Sequence, residues 1–138
     1  MKKQAGFSLI EIMIAVAIIG FLATTVGSRV MTYMEKARVS KTKSILVSLK
    51  QLVIEYATDI GHPPSKKEGG LEALVQKPSG EAGARWKEPY ISEIPRDGWG
   101  HEFEYNCPPK IFTKKFKRFE IYSMGKKDEE DEDLAAGE

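Results

Sequence analysis

The sequence predicts an α+β fold: one long N-terminal helix, transmembrane at first and amphipathic after, its C-terminal half packed on a small antiparallel β-sheet. Three observations carry this expectation. Residues 7–26 contain a single charge. No proline occurs from Met1 to His62, so nothing forbids one helix across that stretch. Beyond Gly61, prolines and glycines become frequent and short alternating runs appear, the pattern of loops and strands.

The apolar run reads FSLIEIMIAVAIIGFLATTV from Phe7 to Val26. At about 1.5 Å per residue it spans roughly 30 Å, the thickness of bilayer hydrocarbon. A secretory signal has a shorter apolar core, about 7–15 residues, closed by a small-residue cleavage site. Here Ala23-Thr24-Thr25 lies inside sequence that stays helical, so an uncleaved single-pass anchor is expected. Lys2 and Lys3 favour a cytoplasmic N-terminus, while the bases after the span pull the other way. A long downstream domain crosses regardless of such charges.

Glu11 is the one charge in the run. A carboxylate in hydrocarbon is expensive and marks a functional group with a partner. One reading has it reach the interface from the helix end. The other pairs it with a cation on a neighbouring copy, and a free α-amino group would serve if the chain were cut between Gly6 and Phe7.

Past the span, apolar residues recur at Val30, Met34, Ala37, Ile45, Leu49, Leu52, Tyr56 and Ile60. Steps of three and four make an amphipathic helix, with only Lys41 interrupting the stripe. A helix from Phe7 to about Ile60 is roughly 80 Å long, more than a small domain covers, so membrane and sister copies are expected to take the rest. Gly20, Thr24, Thr25, Gly27 and Ser28 make residues 20–28 its weakest part. Gly61 ends the helix and His62-Pro63-Pro64 prevents its resumption. Residues Gly70 to Gln76 read as a short helix and 77–100 as loop. His101 to Tyr105 and Phe116 to Tyr122 read as strands joined through Cys107 to Lys115. The tail, Lys126 to Glu138, has no core pattern.

The 138 residues leave room for one domain plus an anchor. The net charge of +1 is made of opposed blocks. Residues 29–50 carry Arg29, Lys36, Arg38, Lys41, Lys43 and Lys50 against Glu35 alone, and residues 128–133 are all acidic. Such segregation points to self-association or local sites. The single cysteine, Cys107, excludes an intramolecular disulfide and reads as a small packed hydrophobe. No nucleophile–base pair, phosphate loop or paired histidines appear, and His62 and His101 stand apart, so no enzyme is expected. Lys114-Lys115-Phe116-Lys117-Arg118-Phe119 mixes cations and aromatics, but its length and the nearby acids favour a solvated strand or inter-subunit pairing over nucleic acid. The acidic run has hard oxygen ligands suited to calcium. It also has the composition of a solvated tail.

Gly6-Phe7-Ser8-Leu9-Ile10-Glu11, after a short basic leader and before an apolar run, resembles the processing signature of type IV pilins and pseudopilins. Four further stretches are similar to major pseudopilins of type II secretion systems: Asp59 to Pro64, Gly70 to Leu74, Tyr90-Ile91 through Ile94 to Gly100, and Ser123-Met124-Gly125. The resemblance implies a pilin-like fold. It implies that a prepilin peptidase removes residues 1–6 and methylates Phe7, and that Glu11 pairs with a neighbour's terminal amine. It further implies a homopolymer, the periplasmic pseudopilus that acts in protein export, with minor pseudopilins and an inner-membrane assembly platform as partners. The chain would be anchored in the bacterial inner membrane with its C-terminal domain in the periplasm. Residues 7–60 would form the long helix (7–26 transmembrane) and 61–138 the globular domain. By position the resemblance carries one calcium ion onto Asp128, Asp131 and Asp133. The sequence departs from that pattern in three places. Ser28 stands where many pilin-like proteins have proline, Gly98 stands where the resembling loop usually has proline, and no glycine lies between Gly125 and Gly137. A type IV pilin for adhesion, motility or DNA uptake is the near alternative, and one cysteine argues against its bridged loop. A membrane-tethered binding module that never polymerises is the distant one, and it leaves Glu11 without a task.

Overall fold

The structure, a computed structural model, describes residues 6–127 and 129–138. Helix α1 runs Leu9–Ile60 without interruption. It begins two residues later than the apolar run because Ser8 and Glu11 close a capping box. The Ser8 N–H donates to Glu11 Oε2 at 2.9 Å and the Glu11 N–H donates to Ser8 Oγ at 3.4 Å, satisfying two of the donors a helix start leaves open. The low-propensity residues 20–28 do not break it; Thr24 Oγ1 bonds back to the Phe21 carbonyl at 2.8 Å. At the other end Gly61 takes φ 106° and its N–H caps the Ala57 carbonyl at 2.9 Å, a left-handed stop that glycine adopts without steric cost.

Residues up to Lys36 form one compact unit and Ala37–Glu138 another. In the first, α1 is apolar and long enough to cross a membrane, and none of that stretch is buried within the chain. Phe7, Ile10, Ile14, Ile18 and Phe21 are all exposed. Val30 and Met34, expected to start the amphipathic stripe, are exposed as well.

In the second unit one face of α1 enters a core. Leu46, Leu49, Val53, Tyr56 and Ile60 pack with Leu71, Leu74, Phe103, Phe119 and Ile121. Leu49, Tyr56 and Ile60 were on the expected stripe; Leu46 and Val53 were not, while Ile45 and Leu52 are only partly buried. Beyond Gly61, Lys66–Glu68 and Gly70–Leu74 are 3-10 turns, so the predicted helix at 70–76 is tighter and shorter than expected. The segment read as loop contains a short helix, α2, at Glu81–Arg85. Arg85 Nη1 donates to the Ile60 carbonyl at 2.9 Å, a cation closing the C-terminus of α1. Trp86 Nε1 donates to the Ala73 carbonyl at 2.9 Å.

Three strands form the sheet: β1 (Glu104–Asn106), β2 (Glu120–Tyr122) and β3 (Ala135–Gly137). The order is β1-β2-β3 and both pairings are antiparallel, with Tyr105 opposite Ile121 and Ile121 opposite Ala136. This corrects the sequence reading in three ways. The first predicted strand keeps only Glu104 and Tyr105 and gains Asn106, while the second shrinks to Glu120–Tyr122; the connection between them extends through Phe119; and the charged tail supplies a third strand. Leu134 is buried just before β3. At Gly137 a Cβ would lie 2.8 Å from Phe116 Cγ, so the strand edge fits there only because the residue has no side chain.

Candidate functional site

At the N-terminal end, Gly6, Phe7 and Ser8 precede the helix and are exposed. Phe7 is 84% accessible and open space surrounds Gly6. The Gly6–Phe7 bond is thus presented as non-helical backbone. Glu11 sits in the first turn, where helix amides favour negative charge, and its carboxylate is already engaged by the Ser8 amide. The Ser-x-x-Glu spacing is a sequence-level helix-start signal, and it accounts for a local partner of Glu11 that burial arguments alone did not find.

The C-terminal unit is organised around two buried carboxylates: Asp97, inside the Ile94 to Gly100 stretch that carries the resemblance, and Glu120, which did not stand out in the sequence. Asp97 has no exposed side-chain surface. Its Oδ2 accepts from Ser123 Oγ at 2.6 Å, and its Oδ1 accepts from the N–H groups of Trp99 (2.9 Å) and His101 (2.8 Å). Burial pushes its pKa up, but the Ser123 bond, the two backbone bonds and nearby His101 outweigh that and hold it below the usual range. The loop it shapes places Gly98 against α1. There the Gly98 N–H donates to Thr42 Oγ1 at 2.9 Å, and a Cβ would come within 2.7 Å of Arg38 Cα. Glycine where the resembling loop has proline therefore has a reason in this chain: backbone meets backbone.

Glu120, buried in the central strand, accepts four bonds. Asn106 Nδ2 (2.7 Å), the Lys110 N–H (2.8 Å) and the Ile111 N–H (2.9 Å) reach Oε1, and the Phe112 N–H (2.8 Å) reaches Oε2. Burial again raises its pKa, and the three backbone bonds with Asn106 reverse the direction and lower it. One carboxylate thus gathers the long β1–β2 connection.

The opposed charge blocks near the C-terminus meet within the chain. Lys115 Nζ lies 3.3 Å from Glu132 Oε1, and Arg118 Nη1 lies 2.7 Å from Glu138 Oε2. The basic run is therefore partly spent on the acidic tail. Asp131 Oδ1 accepts from the Asp133 N–H at 2.9 Å and caps the 3-10 turn Glu132–Leu134. Asp133 is exposed, and Asp128 lies outside the described residues. Among the described residues no three acidic, histidine or cysteine side chains converge on a point. Cys107 is half-buried against the core, and His62 faces Glu68 at 3.6 Å.

A helix that is apolar and uncovered at one end, and packed on a three-stranded sheet at the other, defines a pilin-like structural subunit. Residues 29–137 match the family "Type II secretion system (T2SS), protein G", and residues 1–27 match the prokaryotic N-terminal methylation motif. The chain belongs to the type II secretion system protein G family, a family of structural pseudopilins and not of enzymes. It is 37% identical to the type II secretion system core protein G of Pseudomonas aeruginosa over 90% of this chain and 84% of that one. It is also 37% identical to that of Vibrio cholerae over 78% of this chain and 74% of that one. The crystal structure of the major pseudopilin from the type 2 secretion system of enterohaemorrhagic Escherichia coli superposes with a TM-score of 0.60 at 27% identity, covering 77% of this chain and 90% of that one.

Proposed function

We propose that this chain is cut between Gly6 and Phe7 by a prepilin peptidase, methylated at Phe7, and polymerised into a periplasmic pseudopilus. The observation that carries the reading is the uncovered apolar helix with one acid near its start. Inserted in a bilayer, residues 7–26 anchor the chain in the inner membrane, with the Ala37–Glu138 unit in the periplasm. On assembly, the same surface packs on sister helices and on minor pseudopilins above an inner-membrane platform. Glu11 then exchanges its Ser8 amide for the terminal amine of a neighbour, so that its charge is offset only inside the filament. Intact-mass measurement on assembled material tests the processing. A chain starting at methylated Phe7 is expected, and one starting at Met1 overturns it. A bulky residue in place of Gly6 blocks the cut.

Calcium binding by Asp128, Asp131 and Asp133 is a second, separate proposal. Hard carboxylate oxygens suit that ion, and six adjacent acids gain from a cation. The internal cation Lys115, already on Glu132, is the competing arrangement. Thermal unfolding of the detergent-solubilised chain in calcium and in chelator decides between them. A melting temperature raised by calcium supports the metal, and an unchanged one leaves the tail to Lys115.

A further inference from the structure

We propose that Arg29, Tyr33 and Lys36 form a binding site for anionic phospholipid headgroups in the leaflet that faces the globular unit. The inference rests on reading residues 7–26 as the membrane span. A helix advances about 100° per residue, so steps of four and seven place the three side chains on one face. With Thr32 they line a shallow cleft of about 320 Å³. All three are exposed, Tyr33 at 69%. Among the described residues neither Arg29 nor Lys36 makes an ion pair. Glu35, the one acid nearby, is half-buried and has an interaction of its own.

Depth selects the ligand. The apolar run ends at Val26. At about 1.5 Å per residue, Arg29 lies roughly 5 Å beyond it, Tyr33 roughly 10 Å and Lys36 roughly 15 Å. The headgroup layer is about 5–8 Å thick on each side of the hydrocarbon. Arg29 therefore falls within that layer. The Tyr33 backbone lies just beyond it, and a helical side chain tilts toward the N-terminus, which carries the ring back toward the level where tyrosine belts occur. The Lys36 stem is long enough to lean back toward it. Cations on the translocated side also run against the usual charge bias of membrane proteins. At this depth the negative charge available to offset them is lipid phosphate. Arginine and lysine donate to phosphodiester oxygens, and the Tyr33 hydroxyl adds a third donor between them.

The test uses the full chain in vesicles of phosphatidylcholine alone or mixed with phosphatidylglycerol, with bound lipids counted by native mass spectrometry. Phosphatidylglycerol adducts are expected to exceed phosphatidylcholine adducts. That excess should fall about fivefold for each of Arg29→Gln and Lys36→Gln, while Lys114→Gln leaves it unchanged. Equal phosphatidylglycerol retention by wild type and the double variant overturns the proposal. So does a double variant that binds lipid normally but loses filament yield, which assigns the two cations to carboxylates of a neighbouring subunit. Alkaline extraction runs in parallel. Chain that washes off the vesicles fails the anchoring reading and this proposal with it; chain that stays inserted without lipid preference fails this proposal alone.

Discussion

Ser123 Oγ donates to Asp97 Oδ2 at 2.6 Å, and both side chains are fully buried. This bond ties the residue after β2 to the loop that seats Gly98 on α1. The Gly125 N–H in turn donates to Ser123 Oγ at 3.0 Å, so the start of the acidic segment hangs on the same clasp. A serine and an aspartate 26 residues apart thus connect helix, sheet and tail.

Acid should loosen this unit. Asp97 and Glu120 both have folded pKa values below the ordinary ones. The unfolded chain therefore binds more protons in acid, and their contribution is complete above the unfolded carboxylate pKa of about 4 and is lost as pH falls through the folded values. Urea unfolding between pH 7 and 2.5 checks this. Asp97→Ala strands buried donors and is expected to cost about 3 kcal/mol at neutral pH. Asp97→Asn costs less and flattens the acid limb.

Gly98→Ala places a methyl group against the Arg38 backbone, where no flexible side chain can yield. The loop must retreat, and the Gly98–Thr42 bond goes with it. A loss of about 1–3 kcal/mol is expected. Thr42→Ser keeps the hydroxyl and should be milder. Denaturant midpoints for the two variants that do not separate would contradict the close-approach argument.

The Tyr56 hydroxyl is buried and has no hydrogen-bond partner among the described residues. Burial, and then the negative charge of Glu68, push its pKa to about 12, so it is neutral at ordinary pH. Tyr56→Phe removes an unsatisfied polar group while keeping the ring against Tyr90, 5.6 Å away. A gain of about 1 kcal/mol is expected, and a lower melting temperature would point to a partner for that hydroxyl.

At Glu11, a glutamine can still accept from the Ser8 amide but carries no charge. Glu11→Gln should therefore preserve the helix start and membrane insertion while filament yield collapses. Glu11→Leu, which removes the cap as well, should insert at least as readily, because the hydrocarbon cost of the acid is gone. Wild-type filament yield from Glu11→Gln would refute an ion pair with the neighbour's amine.

The long helix, its apolar start and its stop at Gly61 were legible because each rests on local chemistry: an apolar run, the absence of proline, and a glycine followed by two prolines. The family was legible in short motifs of the same local kind. The strands were read long and the third was missed, because Ala135-Ala136-Gly137 carries no large alternating residues and pairs only because β2 is there to receive it.

What the sequence determined by itself is whatever neighbouring residues decide among themselves: the helix, its stop at Gly61 and its amphipathic change of character. Only the tertiary structure decided what the acids do. Asp97 and Glu120 look like surface residues in the chain, and burial turns them into hubs that collect amide donors from segments brought together by folding. Lys115 and Arg118 meet Glu132 and Glu138 for the same reason. Charge partners distant in sequence are set by where the backbone returns, because attraction falls with separation and is screened by water and salt.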